Sequence, residues 1–117
     1  MVAVIADDSN ILRFTIKEML LKCGITTVHE ATNGYDAVDL FKKHKPDIVT
    51  LDVSMDILDG FEALKQIMEY DPNAKVIMIS SISQDIIIKS AIEIGASNYI
   101  VKPFSQEQIT TAVKRLI

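Results

Sequence analysis

At 117 residues, with 49% hydrophobic and 24% charged side chains, the chain has the composition of one folded domain and lacks the low hydrophobicity and high charge of a disordered one. Sixteen acidic against twelve basic residues give a net charge of −4, which argues against a broad nucleic-acid footprint, though not against a local patch, since phosphate-backbone binding rests on clustered Lys and Arg. Cys23 is the only cysteine, no apolar run approaches a membrane span, and the first residues carry neither a basic leader nor a small-residue cleavage site, so a cytoplasmic protein without membrane insertion is expected.

The first predicted strand, Val2 to Ala6, is a continuous apolar run that stops at Asp7 and Asp8. Leu12, Ile16 and Met19 then recur at helical spacing, and Gly24 ends that stretch before a second strand, Thr26 to Glu30. A second helix carries Ala37, Leu40 and Phe41 inward and closes at Pro46. The run Lys42, Lys43, His44 and Lys45 sits at its end, where cations complement the helix dipole. The third strand, Asp47 to Leu51, stops at Asp52. A helix marked by Phe61, Leu64 and Met68 follows, punctuated by Pro72. The fourth strand, Lys75 to Ser80, leads into a helix that bears Ile86, Ile87 and Ile88 and ends near Gly95. The fifth strand, Asn98 to Val101, leads to Lys102.

Five strand–helix alternations, with strands apolar enough to be covered on both faces, predict an α/β doubly wound parallel sheet. Right-handed crossovers leave few topologies, and the commonest for five strands is the flavodoxin-like (βα)5 order 2-1-3-4-5. In that order the chain winds in opposite directions from strands one and three, and a crevice opens at their carboxyl ends. Asp7, Asp8 and Asp52 all arrive there. Singly, the first two read as helix-preceding acids and the third as a turn residue. Together they form a cluster that needs protonation or a cation, because unit charges about 4 Å apart repel by roughly 4 kcal/mol at an effective dielectric near 20. Magnesium suits such oxygen ligands and leaves room for substrate phosphate. Ser80, Ser81 and Lys102, at neighbouring strand ends, supply a hydroxyl donor and a compact cation, and an aspartate can act as a covalent nucleophile toward phosphorus.

The triplet Asp7, Asp8, Ser9, the segment LDVSMDILDG from Leu51 to Gly60, Ser80, and the run Lys102, Pro103, Phe104 together resemble the response-regulator receiver family, most of all its small CheY-like members. The resemblance spans essentially the whole chain. It implies Asp52 as phosphoacceptor, Asp8 as a direct magnesium ligand, Asp7 as a ligand largely through water, and the Ser54 carbonyl as a further ligand. It also implies a switch made of Ser80 and Tyr99, a Lys102 that bridges phosphoryl oxygens, and a cis Lys102–Pro103 bond. The partners implied are a histidine kinase as donor, a target protein in a process such as chemotaxis, and a phosphatase. Asp56 stands where the family usually has proline, and could either tighten cation binding or face water. Ser81 stands where alanine is common, and Ser54 and Ile82 occupy variable positions.

Three consecutive isoleucines on one helix cannot all face a single core, so at least one of Ile86, Ile87 and Ile88 is expected to be exposed or shared, unless nearby side chains cover it. The family resemblance implies a partner face on the fourth helix, fifth strand and fifth helix, which makes Ile86, Ile87 and Ile88, with Tyr99, the expected partner face. His29 and His44 lack paired ligand spacing and are not expected to bind metal. The competing readings are a magnesium-dependent aspartyl phosphohydrolase, a flavin binder, and a receiver-like scaffold that is never phosphorylated. The absence of a cap domain argues against the first, and acids in place of a Ser/Thr/Gly phosphate loop argue against the second. The full set of acids, hydroxyl and lysine argues against the third. No output domain follows Ile117, so a standalone regulator or an excised receiver is expected. Self-catalysed phosphoryl transfer and loss would make it a signalling module and not a turnover enzyme.

Overall fold

The computed structural model describes Met1–Ile117, the whole sequence. Five strands alternate with five helices: β1 (Val2–Ala6), α1 (Asn10–Lys22), β2 (Thr27–Ala31), α2 (Gly34–His44), β3 (Ile48–Leu51), α3 (Gly60–Tyr70), β4 (Val76–Ser80), α4 (Asp85–Ile94), β5 (Asn98–Val101) and α5 (Gln106–Leu116). The strands pair in parallel in the order β2-β1-β3-β4-β5, as expected. β1 lies between β2 and β3, with Ala6 opposite both Ala31 and Leu51, so the carboxyl ends of the central strands are level.

Alternation along the strands divides the interior in two. Val4, Val49, Leu51, Val76 and Met78 face α2, α3 and α4, whereas Ala3, Ile5, Ile48, Ile77 and Ile79 face α1 and α5. Burial on both faces explains why β1, β3 and β4 are nearly continuous apolar runs, and partial exposure explains why the edge strand β2 is not.

Four strand boundaries differ by a residue from the expectation: β2 runs on to Ala31, and at three strand starts a neighbouring group satisfies the backbone. β2 starts at Thr27, since Thr26 binds Met1 through both its N–H and its hydroxyl. β3 starts at Ile48, because Asp47 turns its carboxylate onto the Val2 N–H. β4 starts at Val76, with Lys75 contributing only its carbonyl, to Val49.

Two helix faces are also rotated. In α1 the buried set is Arg13, Ile16 and Leu20, and Leu12 and Met19 are half-buried. In α3 it is Gly60, Ala63, Leu64 and Ile67, with Phe61 and Met68 half-buried. Side-chain caps from Ser9, Asn33, Asp59 and Ser105 start α1, α2, α3 and α5, each accepting a backbone N–H of the first turn. Gly24 at φ 95 and Gly95 at φ 134 follow α1 and α4, where a side chain would be strained. No helix is long and apolar enough to cross a membrane.

Candidate functional site

β1 delivers Asp7 and Asp8, and β3 delivers Asp52, just beyond their last ladder residues. One oxygen from each of the three carboxylates lies within 4.8 Å of the other two. Asp7 and Asp52 are buried and Asp8 is exposed at the mouth.

Each carboxylate has a distinct set of partners. Asp7 Oδ1 accepts the Ser9 N–H at 2.9 Å, and its Oδ2 accepts the Lys102 ammonium at 2.9 Å. Asp52 Oδ2 meets the same ammonium at 3.3 Å, and its Oδ1 accepts the Ser54 N–H at 3.4 Å. Lys102 therefore ties strands β1, β3 and β5 together across the pocket. Burial pushes the Asp52 carboxyl above its ordinary value; Lys102 opposes this, the Asp7 charge adds to it, and the Lys102 and Ser54 hydrogen bonds oppose it further. One ammonium, bonded to two of the three clustered carboxylates, leaves a formal deficit that a dication would balance. Hard carboxylate oxygens, one of them exposed, form a donor set that suits a divalent ion retaining several waters.

Ser80 is buried at the end of β4, and its Oγ accepts the Ile82 N–H at 3.2 Å. The Tyr99 hydroxyl donates to the Ile82 carbonyl at 2.6 Å, so Ser80 and Tyr99 grip the same residue from two sides. The Lys102 N–H bonds the Ser80 carbonyl at 2.9 Å, and the Lys102–Pro103 bond is cis. Ser81 is exposed. With Lys102, Leu12, Thr15, Pro103 and Phe104 it lines a cleft of about 410 Å³ beside the acids. A second cleft, about 490 Å³, lies away from the carboxylates between β5 and α5 and includes Tyr99, Asn98 and Gln108.

Asp56 is exposed and stands outside the acidic group, so of the two alternatives for this loop position the side chain faces water. The Leu58 N–H bonds the Asp56 carbonyl at 2.7 Å around Ile57, which has φ 67 and is 83% exposed. A β-branched residue at positive φ is an outlier, and it sits in the loop that carries Ser54. Ile86 is 72% exposed, and Ile87 and Ile88 are half-buried, so the isoleucine run is divided between solvent and protein.

Two features were not anticipated from the sequence. The His29 and His44 rings stack at 3.6 Å with an interplanar angle of 11°. Parallel rings direct their in-plane lone pairs side by side, not toward one point, so the pair remains unsuited to a shared metal. Arg13 is buried, and its Nη1 donates to the Asp7 carbonyl at 2.6 Å. Its only signal in the sequence is a charge three residues before Ile16 and seven before Leu20, on the stripe that faces the core.

Comparison with known proteins agrees with this geometry. The family described as "Response regulator receiver domain" matches residues 3–114. The chain is 41% identical to the chemotaxis protein CheY of Thermotoga maritima over 113 residues, covering 97% of this chain and 94% of that protein. It is 40% identical to the CheY of Bacillus subtilis over 114 residues, covering 97% and 95%. Its fold is similar to a chain in the crystal structure of the CheX–CheY–BeF3–Mg complex from Borrelia burgdorferi, with a TM-score of 0.94 and 34% identity over 98% of this chain and 87% of that one. The acidic triad is of the kind that holds magnesium. With a family match over nearly every residue and close relatives of the same length, the chain belongs to the response-regulator receiver family, a phosphoacceptor signalling module and not a conventional enzyme.

Proposed function

We propose that residues 1–117 form a single receiver unit in which a histidine kinase phosphorylates Asp52 beside a magnesium ion, with chemotaxis as the process that the relatives' names suggest. The observation that carries this reading is the convergence of the Asp7, Asp8 and Asp52 carboxylates at one point, with the Lys102 ammonium bonded to Asp7 and Asp52. Asp8 is the exposed acid, which suits direct ligation. Both oxygens of Asp7 are already engaged by Ser9 and Lys102, which suits ligation through water. The Ser54 carbonyl follows the N–H that braces Asp52 and would complete the protein ligands. Bound magnesium would neutralise charge on the carboxylates and on the phosphoryl oxygens.

In this reading an Asp52 oxygen attacks phosphorus as the bond to the donor histidine breaks, giving an acyl phosphate. Burial helps the attack, because it makes the Asp52 carboxylate more basic than usual. The Lys102 ammonium, now shared between two carboxylates, transfers its hydrogen bond to the new phosphoryl group. Ser80 turns its hydroxyl from the Ile82 N–H to a phosphoryl oxygen. The same loop carries the carbonyl that holds Tyr99, so a local charge change reaches β5 through one residue, Ile82. The partner face is then Tyr99 with Ile86, Ile87 and Ile88, and the target docks there. Exposed Ile86 and the open cleft beside Tyr99 support that choice. Water returns the protein to its resting state by hydrolysing the acyl phosphate, and a phosphatase is the partner that would hasten it.

The test is intact-mass spectrometry after incubation with acetyl phosphate, with and without magnesium, on the native protein and on Asp52→Asn. One magnesium-dependent phosphoryl adduct, absent from Asp52→Asn, is the expected result. An adduct that persists in the variant would move the acceptor elsewhere. No adduct under conditions that preserve acyl phosphates would favour a scaffold.

A further inference from the structure

The buried charge on the core face of α1 has a specific geometry. Arg13 Nη1 donates to the Asp7 carbonyl at 2.6 Å, Nη2 bonds the Asn10 side-chain oxygen, and Nε faces Glu30 on β2 at 3.4 Å. Glu30 is itself 3.9 Å from Lys17, so the acid that anchors the guanidinium has a second cationic neighbour. The Arg13 side chain is 11% exposed. A helix face that needed only apolar area would be served better by leucine, since a buried cation loses hydration that its partners must replace. The planar fork of arginine lets one side chain hold three groups on three elements, which lysine cannot match.

The carbonyl it grips belongs to the peptide that joins Asp7 to Asp8. The amide side of Asp7 is fixed by its N–H to the Ala31 carbonyl at 3.2 Å. Its carbonyl side lies beyond the last strand residue, and rotation there would swing the Cα of Asp8. We infer that Arg13 is a positioning residue for the metal site, clamping the Asp7–Asp8 peptide so that Asp8 presents its carboxylate toward Asp7 and Asp52. This deepens the reading of the acids as a magnesium site and rests on it.

Charge and position make opposite predictions. As a cation bonded to the backbone of Asp7, Arg13 disfavours a second cation at the acids, so on electrostatics alone its removal tightens magnesium binding. As a clamp on a ligand-bearing peptide it favours binding, and loss of such support around metal ligands typically costs 10- to 100-fold in affinity. The sign of the change therefore separates the two roles.

The experiment is isothermal titration of magnesium into unphosphorylated native protein, Arg13→Ala, Arg13→Lys and Asn10→Ala, with folding checked by circular dichroism. Arg13→Ala is expected to bind magnesium about 10-fold more weakly. Its phosphorylation rate from acetyl phosphate at saturating magnesium should stay within about twofold of native, because a ligand displaced from its resting position can still be drawn in by excess ion. Arg13→Lys keeps the charge but not the fork and should fall in between. Asn10→Ala changes no charge at an exposed position, and should weaken binding about two- to threefold by loosening one grip on the guanidinium. Unchanged or tighter binding by a folded Arg13→Ala overturns the inference. If that variant does not fold, unchanged binding by Asn10→Ala overturns it instead. Absence of magnesium binding by the native protein overturns both the inference and the site reading beneath it.

Discussion

Replacing Gly60 with alanine tests how α3 is joined to the phosphoacceptor. A Cβ built at Gly60 lies 2.0 Å from the Asp52 carbonyl oxygen and 2.8 Å from both the Asp52 carbonyl carbon and the Val53 Cα, where ordinary contact starts at 3.4 Å. Every one of these atoms is backbone, so no side-chain rotation relieves the overlap, and either α3 or the end of β3 must move by more than an ångström. Helix propensity alone favours alanine by about 1 kcal/mol. Against that, a radial gap of 0.5–1 Å forfeits about a quarter to a half of the dispersion contacts of the fully buried Leu64 and Ile67. With burial of each worth about 1.5–3 kcal/mol, this amounts to about 1–3 kcal/mol. Residual overpacking adds about 1–3 kcal/mol. Sterics therefore win, with a net loss of about 3 kcal/mol and a Tm lower by about 12 °C at about 4 °C per kcal/mol. Urea unfolding followed by circular dichroism measures the loss, and the yield of phosphoryl adduct shows whether Asp52 has shifted. Gly24→Ala is the control: it has φ 95 but nothing within 4 Å, so it should cost only about 1 kcal/mol of backbone strain and leave the adduct unchanged. Equal stability of Gly60→Ala and the native protein would refute the packing argument.

Lys102→Met leaves buried Asp7 and Asp52 facing each other without their ammonium, and should cost about 3 kcal/mol in metal-free buffer; thermal melts with and without magnesium should show a larger rise in Tm on adding the ion than in the native protein. Thr50 is buried in β3 and its hydroxyl has no hydrogen-bond partner, so Thr50→Val should gain about 1 kcal/mol in urea unfolding, and any loss would mean that the hydroxyl is satisfied. Burial, with the charges of His29 and Lys43, holds the His44 pKa below its ordinary 6.5. The neutral ring is therefore preferred in the folded state, and the stacked pair contributes stability above about pH 6.5 that is lost as pH falls through that value toward the lower folded pKa. His44→Phe keeps a ring without a proton to gain, so its Tm should fall less between pH 7.5 and 5.5 than the native Tm does; identical slopes would exclude His44 as the titrating group.

The strands and their order were legible because parallel strands buried on both faces write themselves as nearly unbroken apolar runs, as in Val2–Ala6 and the β4 strand up to its final Ser80. The same topology placed Asp7, Asp8 and Asp52 at one crevice, and the structure brings them there. Helix faces were less legible. Counting only apolar residues misses that Arg13 shares the stripe with Ile16 and Leu20, since periodicity carries no information about which polar residue a neighbouring carbonyl will satisfy. The His29–His44 stack depends on the register of β2 against the end of α2, which no local pattern specifies. The loop after β3 was read as altered by Asp56, yet its notable residue is the next one, Ile57 at positive φ, a conformation that nothing in a β-branched residue suggests.

Most departures from local preference lie at one edge of the sheet. The carboxyl ends of the strands hold three clustered acids and a buried guanidinium, a β-branched residue at φ 67, and two glycines, Gly34 and Gly60, pressed against the backbone of the β3–α3 segment. The opposite edge follows ordinary rules: Met1 and Thr26 satisfy each other, and Asp47 caps the Val2 N–H. Carboxylates that repel each other oppose folding, so a sequence selected for stability alone would replace one of them with a neutral residue. Asp52→Asn is the simplest such change, and because burial already favours the neutral form of Asp52, it should stabilise the metal-free protein while removing the proposed nucleophile. Lys102 offsets part of the repulsion but is tethered to Asp7 and Asp52 together, so it cannot turn fully to a phosphoryl group without leaving both. In the proposed reading, phosphorylation would change the bonding across β1, β3 and β5 at once, and the resting contacts of Ser80 and Tyr99 with Ile82 are where that change would leave the pocket.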